Sequence, residues 1–416
     1  MKGQKMTFLI PNMAPIHFGL IREVFNNFGY DSVLLENTSS RVLDAGLKYV
    51  HNDICYPAQL VIGQFIDALS SGKYDPKHTA LFISQTGGGC RASNYYFLLK
   101  KALKRSGYGD VEVVSLNLKG MNRSSSFHLR PVMLVQAFVA LIYGDLLMML
   151  SNQTRPYEVN KGQSDALVAK WLEILGGKFA RNRGYLSKAM RVNMNAIAKD
   201  FAAVERRKET KIKVGIVGEI YMKYSELGNN HLQDFLESQG CEVVLPGITG
   251  FVFYGFDNVP NDRHYYGGKF LSSIGSLLMM KLMTRIERNM LSVVRSQGCF
   301  EVPSTYHELK KRAEGLIDYG VKMGEGWLLP AEMLDLAETG TPNIVCTQPF
   351  GCLANHIVAK GMIRTVSART GANIVAIDYD ASATQVNQEN RIKLMLSIAR
   401  ERLGLTKAGK GIKNEP

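Results

Sequence analysis

The stretch TALFISQTGGGCR, residues 79–91, decides how the rest of the chain is interpreted. Its first six residues, Thr79 to Ser84, form an apolar run that predicts a buried strand. Three consecutive glycines follow: Gly87, Gly88 and Gly89. Glycines cost backbone entropy and bury no side chain, so three together indicate a sharp turn or a close approach to a bound group. They deliver Cys90 to the carboxyl end of the strand, where open α/β sheets bind ligands.

A second stretch has the same design. Residues 343–347 (NIVCT) form another apolar strand, and this strand leads into Gln348-Pro349-Phe350-Gly351-Cys352. Each strand therefore ends with a glutamine, a glycine and a cysteine, and a helical pattern follows. The residues allow two interpretations. One is a pair of half-sites facing a single cleft, and the other is a pair of tight strand-to-helix turns with packed cysteines.

The composition is that of an ordinary globular protein of two or three domains, with 416 residues, 46% hydrophobic and 21% charged. The formal net charge of +13 is spread along the chain, and its densest basic cluster is Arg206-Arg207-Lys208. No zinc-finger or helix-turn-helix signature accompanies this charge, so we expect no nucleic-acid partner. A phosphate-rich substrate such as a coenzyme A thioester accounts for the charge equally well.

The chain shows no signal peptide, because its N-terminus leads directly into a strand. The apolar run 132–150 contains Gln136 and Asp145, which favours a buried helix over a membrane span. Six cysteines without an export signal indicate reduced thiols that serve metal binding or catalysis. We therefore expect a cytoplasmic protein without a membrane partner.

Strands and helices alternate along the chain with short connections, and this rhythm predicts parallel sheets. The fold class is α/β, with two doubly wound Rossmann-like domains joined by a helical segment and a cleft between them. We place the domains at residues 1–154 and 211–416, with a helical bridge at 155–210. The predicted strands are residues 6–10, 31–35, 80–84, 111–116, 211–218, 242–245, 343–347 and 374–378.

Three further stretches carry predictions. Gly215 and Gly218 lie within a strand and lack the three-glycine spacing of a dinucleotide site, so that site is not expected. The aromatic, glycine-interrupted residues 251–256 are interpreted as a loop or a cavity wall. Residues 305–319 are predicted to be helical.

Four cysteines are candidate metal ligands: Cys55, Cys90, Cys346 and Cys352. Cys55 precedes Pro57, which suits the first turn of a helix. The positive end of that helix is expected to lower the Cys55 pKa and favour the thiolate. A packed core cysteine is the alternative at this position. Cys346 lies inside a strand.

Other candidates for site chemistry are Glu219, Glu325 and His356. Either glutamate is interpreted as a general base or a neighbour of a bound cluster, and the alternative for both is a solvated loop carboxylate. His356 lies at a helix start, from which it would donate to a substrate carbonyl or simply cap the helix. Gly351, like the three glycines before Cys90, is expected to bring backbone close to a cofactor.

The spacing of the cysteines argues against a structural zinc ribbon, because no CxxC pair exists. Ligands that come singly from separate loops suit a cluster held between domains. Iron–sulfur clusters take cysteine thiolates as ligands, and a missing ligand leaves one iron open to substrate. The residues allow this interpretation without requiring it.

At the motifs HNDICYPAQLVIGQF, TGGGCRASNY, GEGWLL and CTQPFGCLANH, and at NIVAIDYD and VNQENRIKLML, the sequence resembles a known family. The chain is similar, from about residue 5 to 400, to the dehydratase-like part of the large 2-hydroxyacyl-CoA dehydratase activase proteins. It also resembles 2-hydroxyacyl-CoA dehydratase subunits and double-cubane-cluster proteins. The fused family members contain an ATPase portion that this sequence does not have.

The resemblance implies an iron–sulfur protein of anaerobic metabolism that forms a homo- or heterodimer. Its cluster, 4Fe–4S or double-cubane 8Fe–9S, would be held by Cys55, Cys90 and Cys352, with Cys346 as a further candidate. An ATP-hydrolysing activator with an actin-like fold would supply low-potential electrons. In the dehydratases, one electron makes a ketyl radical on the hydroxyacyl thioester, and water leaves. This chain has more plausible cysteines than a dehydratase subunit needs, which keeps a double-cubane or purely electron-transferring role open.

Two interpretations from other classes remain at this point. The chain is alternatively a non-catalytic scaffold with a vestigial cleft, or a cofactor-free enzyme that binds an anionic nucleotide at the glycine loop.

Overall fold

The computed structural model describes residues 6–86, 88–117, 127–128 and 130–404. The predicted strand positions agree with the observed strands to within two residues at each end. The strands are β1 (Thr7–Pro11), β2 (Asp31–Leu35), β3 (Thr79–Gln85), β4 (Glu112–Asn117), β5 (Ile212–Gly218), β6 (Cys241–Val244), β7 (Asn343–Pro349) and β8 (Asn373–Tyr379).

The helices of the first half are α1 (Pro15–Asn27), α2 (Ser40–Tyr49), α3 (Tyr56–Ser70), α4 (Tyr95–Arg105), α5 (Pro131–Thr154), α6 (Gln163–Ala180) and α7 (Ser187–Ala202). The second half contains α8 (Ile220–Tyr224), α9 (Glu226–Asn229), α10 (Leu232–Ser238), α11 (Ile248–Tyr266), α12 (Phe270–Ser296), α13 (Tyr306–Arg312), α14 (Leu328–Glu338), α15 (Lys360–Thr370) and α16 (Gln385–Arg402). A π-helical segment, Ala354–Ala359, runs directly into α15.

The fold is α/β and contains two four-stranded parallel sheets with matching strand orders, as the alternation of strands and helices predicted. The first sheet has the order β2-β1-β3-β4, and the second has the order β6-β5-β7-β8. The register is continuous along each pair; in the second sheet, Asn343 of β7 lies beside Asn373 of β8. Parallel strands bring their carboxyl ends to one edge, so the loops after β1 and β3 lie at one edge of the first sheet and those after β5 and β7 at one edge of the second.

Alternate residues of each strand pack on opposite faces of the sheet. Leu9 and Leu81 belong to one apolar cluster, whereas Phe8 and Ala80 belong to another on the opposite face. The first cluster also contains Val214 of the second sheet, so a continuous apolar core joins the two halves. This shared core brings the loops of the two sheets together.

Helix α5 is the single described helix that is long and apolar enough to cross a membrane. The span from Pro131 to Tyr157 has a mean hydropathy of 2.0 in its most apolar window, and 61% of that window is buried inside the protein. Its buried residues pack against α1, α6 and β6. A mostly buried helix of this kind is typical of the core of a soluble protein, as expected for residues 132–150.

The loop interpretation of residues 251–256 was wrong, and the helix predicted at 305–319 was too long. Residues 251–256 lie inside α11. Phe253 and Tyr254 are buried there, and the other aromatic side chains of the segment are partly buried in the same apolar cluster. The predicted helix at 305–319 is shorter, since α13 ends at Arg312. Thr305 caps α13 in a capping box. Its side-chain oxygen accepts the Glu308 backbone N–H, and the Glu308 carboxylate accepts the Thr305 backbone N–H.

The bridge residues 155–210 consist mainly of α6 and α7. Helix α6 packs against α1 of the first half, whereas α7 contacts both α5 of the first half and α12 of the second.

Candidate functional site

A cavity of about 150 Å³ lies where the loops of the two sheets meet. Its lining includes residues that follow β1, β3, β5 and β7, so the carboxyl edges of both sheets contribute to it. Five of the predicted site residues are in the lining: Cys55, Cys90, Cys352, Glu219 and Glu325. Gly89 and Gly351 line the same cavity. One cavity therefore contains candidates taken from both halves of the chain.

The three cavity cysteines come from three separate connections. Cys55 is the N-cap residue of α3, with Pro57 in the first turn. Cys90 precedes a short 3-10 helix that leads into α4. Cys352 lies in the turn between β7 and the π-helical segment. All three are free thiols. Thiols that belong to distant parts of the sequence thus surround one space.

The connection after β7 packs directly on the start of α3. The Tyr56 backbone N–H donates to the carbonyl oxygen of Phe350, with 3.0 Å between N and O. Gly351 has a φ of +74°, and a Cβ at this position would lie 3.0 Å from the Cys55 Cα. Only glycine combines this left-handed conformation with so close an approach. Gly351 therefore allows the Cys352 loop to reach Cys55.

The glycine loop before Cys90 also meets the second half of the chain. The Gly89 N–H donates to Met323 Sδ, with 3.3 Å between the two atoms. A Cβ at Gly89 would lie 2.6 Å from the same sulfur. Gly88 has a φ of +71° and open space around it. Gly87 lies outside the described residues.

Burial raises the pKa of each cavity thiol. The pKa of Cys55 rises to about 11, and those of Cys90 and Cys352 also rise, in each case first because burial disfavours the charged thiolate. The expectation that the α3 N-terminus would lower the pKa of Cys55 was therefore wrong in its outcome. The backbone N–H of Ala58 does lower this pKa, but burial has the larger effect. A bound metal would deprotonate the thiols by its own charge.

Glu219 and Glu325 form a carboxyl pair at the cavity. The Met222 N–H donates to Glu219 Oε2 and the Ile220 N–H donates to Glu325 Oε1, both at 2.9 Å. Burial raises the pKa of each carboxyl, and the charge of Glu325 raises the pKa of Glu219 further. Such a pair holds a proton at a higher pH than an exposed carboxylate would.

The other predicted site residues lie elsewhere. Cys346 is fully buried in β7 among apolar residues of α14 and is not part of the cavity lining. His356 lies in the π-helical segment, also outside the lining, and its backbone N–H donates to the carbonyl oxygen of Cys352 at 3.1 Å. Of the remaining cysteines, Cys241 is buried at the start of β6 and Cys299 is exposed.

Four residues of the site were not found from the sequence. Tyr95 Oη lies 3.0 Å from Cys55 Sγ, and Asn355 Nδ2 donates to Cys352 Sγ at 3.2 Å. Arg91 lines the cavity and donates to the carbonyl oxygen of Asp53, and Met323 contacts Gly89. Tyr95 and Asn355 each follow a candidate cysteine by a few residues, which was the one signal available.

Three free thiols line the cavity, and cysteine thiolates are the ligands that iron–sulfur clusters take. Within the described ranges, no group of three or more His, Cys, Asp or Glu side chains is arranged to hold one metal ion. In a 4Fe–4S cluster each thiolate binds a different iron, so the ligands are spread around the cluster instead of converging on a point. Cys55, Cys90 and Cys352 would supply one thiolate each to three irons of such a cluster.

Comparisons with known proteins add no relative. No protein-family model matches the chain, and no curated protein matches it either.

Proposed function

We propose that this chain is a cytoplasmic iron–sulfur protein of the 2-hydroxyacyl-CoA dehydratase type, with two doubly wound Rossmann-like domains around a cleft and a helical joining segment. The observation that carries the proposal is the meeting of Cys55, Cys90 and Cys352 around one cavity. Cysteines that served only to pack the core would not be expected to come from three distant loops to one cavity.

Three thiolates would hold a 4Fe–4S cluster and leave one iron accessible from the cavity. When bound, such a cluster supplies a low-potential electron for reductive or radical chemistry on a small substrate. The chain's own residues would set the conditions for that chemistry. Glu219 and Glu325, with raised pKa values, would hold a proton beside the substrate and deliver it to a leaving hydroxyl.

An acyl-CoA thioester is the proposed substrate class. Met323 and Leu353 line the cavity and remain more than half exposed, so they offer an apolar contact at its mouth. Arg91, also in the lining and exposed, would face the phosphates of such a substrate. An ATP-hydrolysing activator protein would deliver the electron.

The test is the content of iron and acid-labile sulfide per chain in protein purified without oxygen, with its visible and EPR spectra. About four irons with matching sulfide support a single cubane, and about eight indicate a double-cubane reductase instead. Absence of iron after anaerobic reconstitution would refute the proposal and favour a non-catalytic scaffold.

The ligand assignment is tested with Cys90→Ala and a matched control. We expect Cys90→Ala to lose most of the iron, because the cluster would retain two of its three thiolates. Cys299→Ala removes an exposed thiol outside the cavity lining and should keep the iron content of the parent protein. Equal iron in both variants would exclude Cys90 as a ligand.

A further inference from the structure

The N-terminal half of α12 carries a continuous apolar surface that remains exposed in the part of the chain that the structure describes. Six of its side chains are between 39% and 81% exposed. They define the outer face of α12: Phe270, Leu271, Ile274, Leu277, Leu278 and Leu282.

Helical geometry places these six residues on one side. At 100° per residue they span less than half of the helix circumference, opposite the side that is buried through Ser273, Ser276 and Met283. The buried side of α12 packs against α11 and α7, so the helix is fixed to the molecule while its outer face points to solvent. The face runs for about 20 Å along the axis.

The size of the face is that of an interface. The six side chains expose about 600 Å² of apolar surface, at the upper end of what single-chain proteins leave uncovered. A standard protein interface buries about 800 Å² on each partner. The outer face, with the side chains at its edge, therefore supplies most of what a stable pair of chains requires.

We propose that the outer face of α12 packs against the same face of a second copy of this chain, with the two helices antiparallel about a two-fold axis near residue 276. A two-fold axis pairs a surface with itself and closes the assembly at two chains. The proposal does not depend on the proposed function.

The charges on the face favour the antiparallel direction. Lys281 and Arg285 are exposed at its C-terminal end. A parallel pairing would place Lys281 and Arg285 each next to the same residue of the second chain. In the antiparallel pairing the two Lys281 side chains are about 15 Å apart along the axis, beyond the screening length of about 8 Å at physiological salt. The two Arg285 side chains are farther apart still, at about 27 Å along the axis.

The experiment measures the mass of the full chain by sedimentation and light scattering from about 1 to 100 µM. We expect a dimer that dissociates in the micromolar range or below. The double variant Ile274→Glu, Leu278→Glu should weaken association at least a hundredfold, because positions 274 and 278 face each other across the axis and the variant sets carboxylates against carboxylates at the centre of the interface. The matched control is Leu186→Glu, Leu394→Glu, since both leucines are exposed to the same extent as Leu278 and lie outside α12.

The direction of pairing is tested by disulfide cross-linking in a Cys299→Ala background. A mixture of Leu271→Cys and Lys281→Cys chains should form a cross-linked dimer, because positions 271 and 281 face each other across an axis at 276. Neither variant alone should cross-link efficiently.

Three outcomes would overturn the proposal. One is a monomer at every concentration, and another is a dimer that both double variants leave intact. The third is a monomer that binds vesicles of anionic lipid through the outer face of α12, which would assign the face to a membrane surface.

Discussion

At the scale of single residues, the site depends on two hydrogen bonds to sulfur. Tyr95 lies 3.0 Å from Cys55 Sγ, and Asn355 donates to Cys352 Sγ. Burial, and then the neighbouring Cys55, raises the pKa of Tyr95 well above its ordinary value, so its hydroxyl keeps its proton. Hydrogen bonds to ligand thiolates stabilise the reduced, more negative form of a cluster and raise its potential.

Tyr95→Phe is therefore expected to make the proposed cluster harder to reduce while its iron content stays unchanged. At a fixed potential, we expect the ratio of reduced to oxidised cluster to fall by about tenfold, which corresponds to about 59 mV for a one-electron couple. Redox titration followed by EPR measures this shift. Tyr96→Phe is the matched control, because Tyr96 is the next residue of α4 and does not line the cavity. Identical potentials in the two variants would rule out the Tyr95 hydroxyl as a donor that affects the cluster.

A second residue-scale prediction concerns Glu287, which lines a separate cavity of about 400 Å³. The Tyr306 N–H donates to its Oε1 at 2.8 Å, and its buried Oε2 has no hydrogen-bond partner in the part of the chain that the structure describes. Burial raises its pKa to about 7 from 4.5, against a smaller opposing effect of the Tyr306 N–H and Arg288. Glu308 and Asp145 raise this pKa slightly.

The raised pKa means that the folded chain binds a proton that the unfolded chain has already released. The protonated carboxyl therefore stabilises the fold fully below pH 4.5, and this stability is lost as the pH rises to about 7. Between pH 4.5 and 7, the free energy of unfolding of Glu287→Gln should therefore fall by up to about 3 kcal/mol less than that of the parent protein. Urea unfolding from pH 5 to 8 measures it, with the exposed Glu314→Gln as control. Parallel pH profiles for Glu287→Gln and the parent protein would contradict the prediction.

At the scale of elements, the crossing of α2 and α3 holds Cys55 in position. The two helices touch through backbone: a Cβ at Gly63 would lie 2.0 Å from the Val42 carbonyl oxygen, and one at Gly46 would lie 2.3 Å from the Gln59 carbonyl oxygen. Because α3 begins immediately after Cys55, any separation of the two helices would move this thiol.

Gly63→Ala should destabilise the protein by about 3 kcal/mol or more, since the helices must separate to admit the methyl group. Gly361→Ala is the matched control in α15, where nothing lies within 4 Å of the added Cβ. That variant should gain about 1 kcal/mol from helix propensity. The free energies of unfolding in urea give both values, and a Gly63→Ala protein as stable as its parent would show that the crossing tolerates a side chain.

At the scale of the whole molecule, a buried polar network joins the two halves. Asp145 of α5 accepts the His17 side chain at 2.8 Å and the Ile248 N–H at 2.7 Å, and it also accepts both the backbone N–H and the hydroxyl of Thr249. The carboxylate therefore sits at the N-terminus of α11 and links it to α1 and α5. Together with the shared apolar core, this network fixes the relative position of the two sheets on which the cavity depends.

The sequence by itself determined the secondary structure of the sheets and their class. Strands such as 343–347 could be predicted because apolar runs bounded by glycine and proline are local signals, and their alternation with helices required parallel pairing. The sequence also indicated where the site would lie, since glycine and cysteine at strand ends point to the carboxyl edge. The loop interpretation of residues 251–256 was wrong because aromatic and glycine content does not separate a loop from a packed helix, although Phe251 does line the cavity, as the alternative interpretation had it.

Only the tertiary structure decided which of these residues share a cavity. Cys55, Cys90 and Cys352 are brought together by the packing of Gly351 on Cys55 and of Gly89 on Met323, contacts between segments hundreds of residues apart that no local pattern encodes. The same holds for the raised pKa of Cys55, because burial is a property of the assembled core and outweighs the helix terminus that the sequence displays. Local signals determine elements, whereas sites between elements depend on how those elements pack.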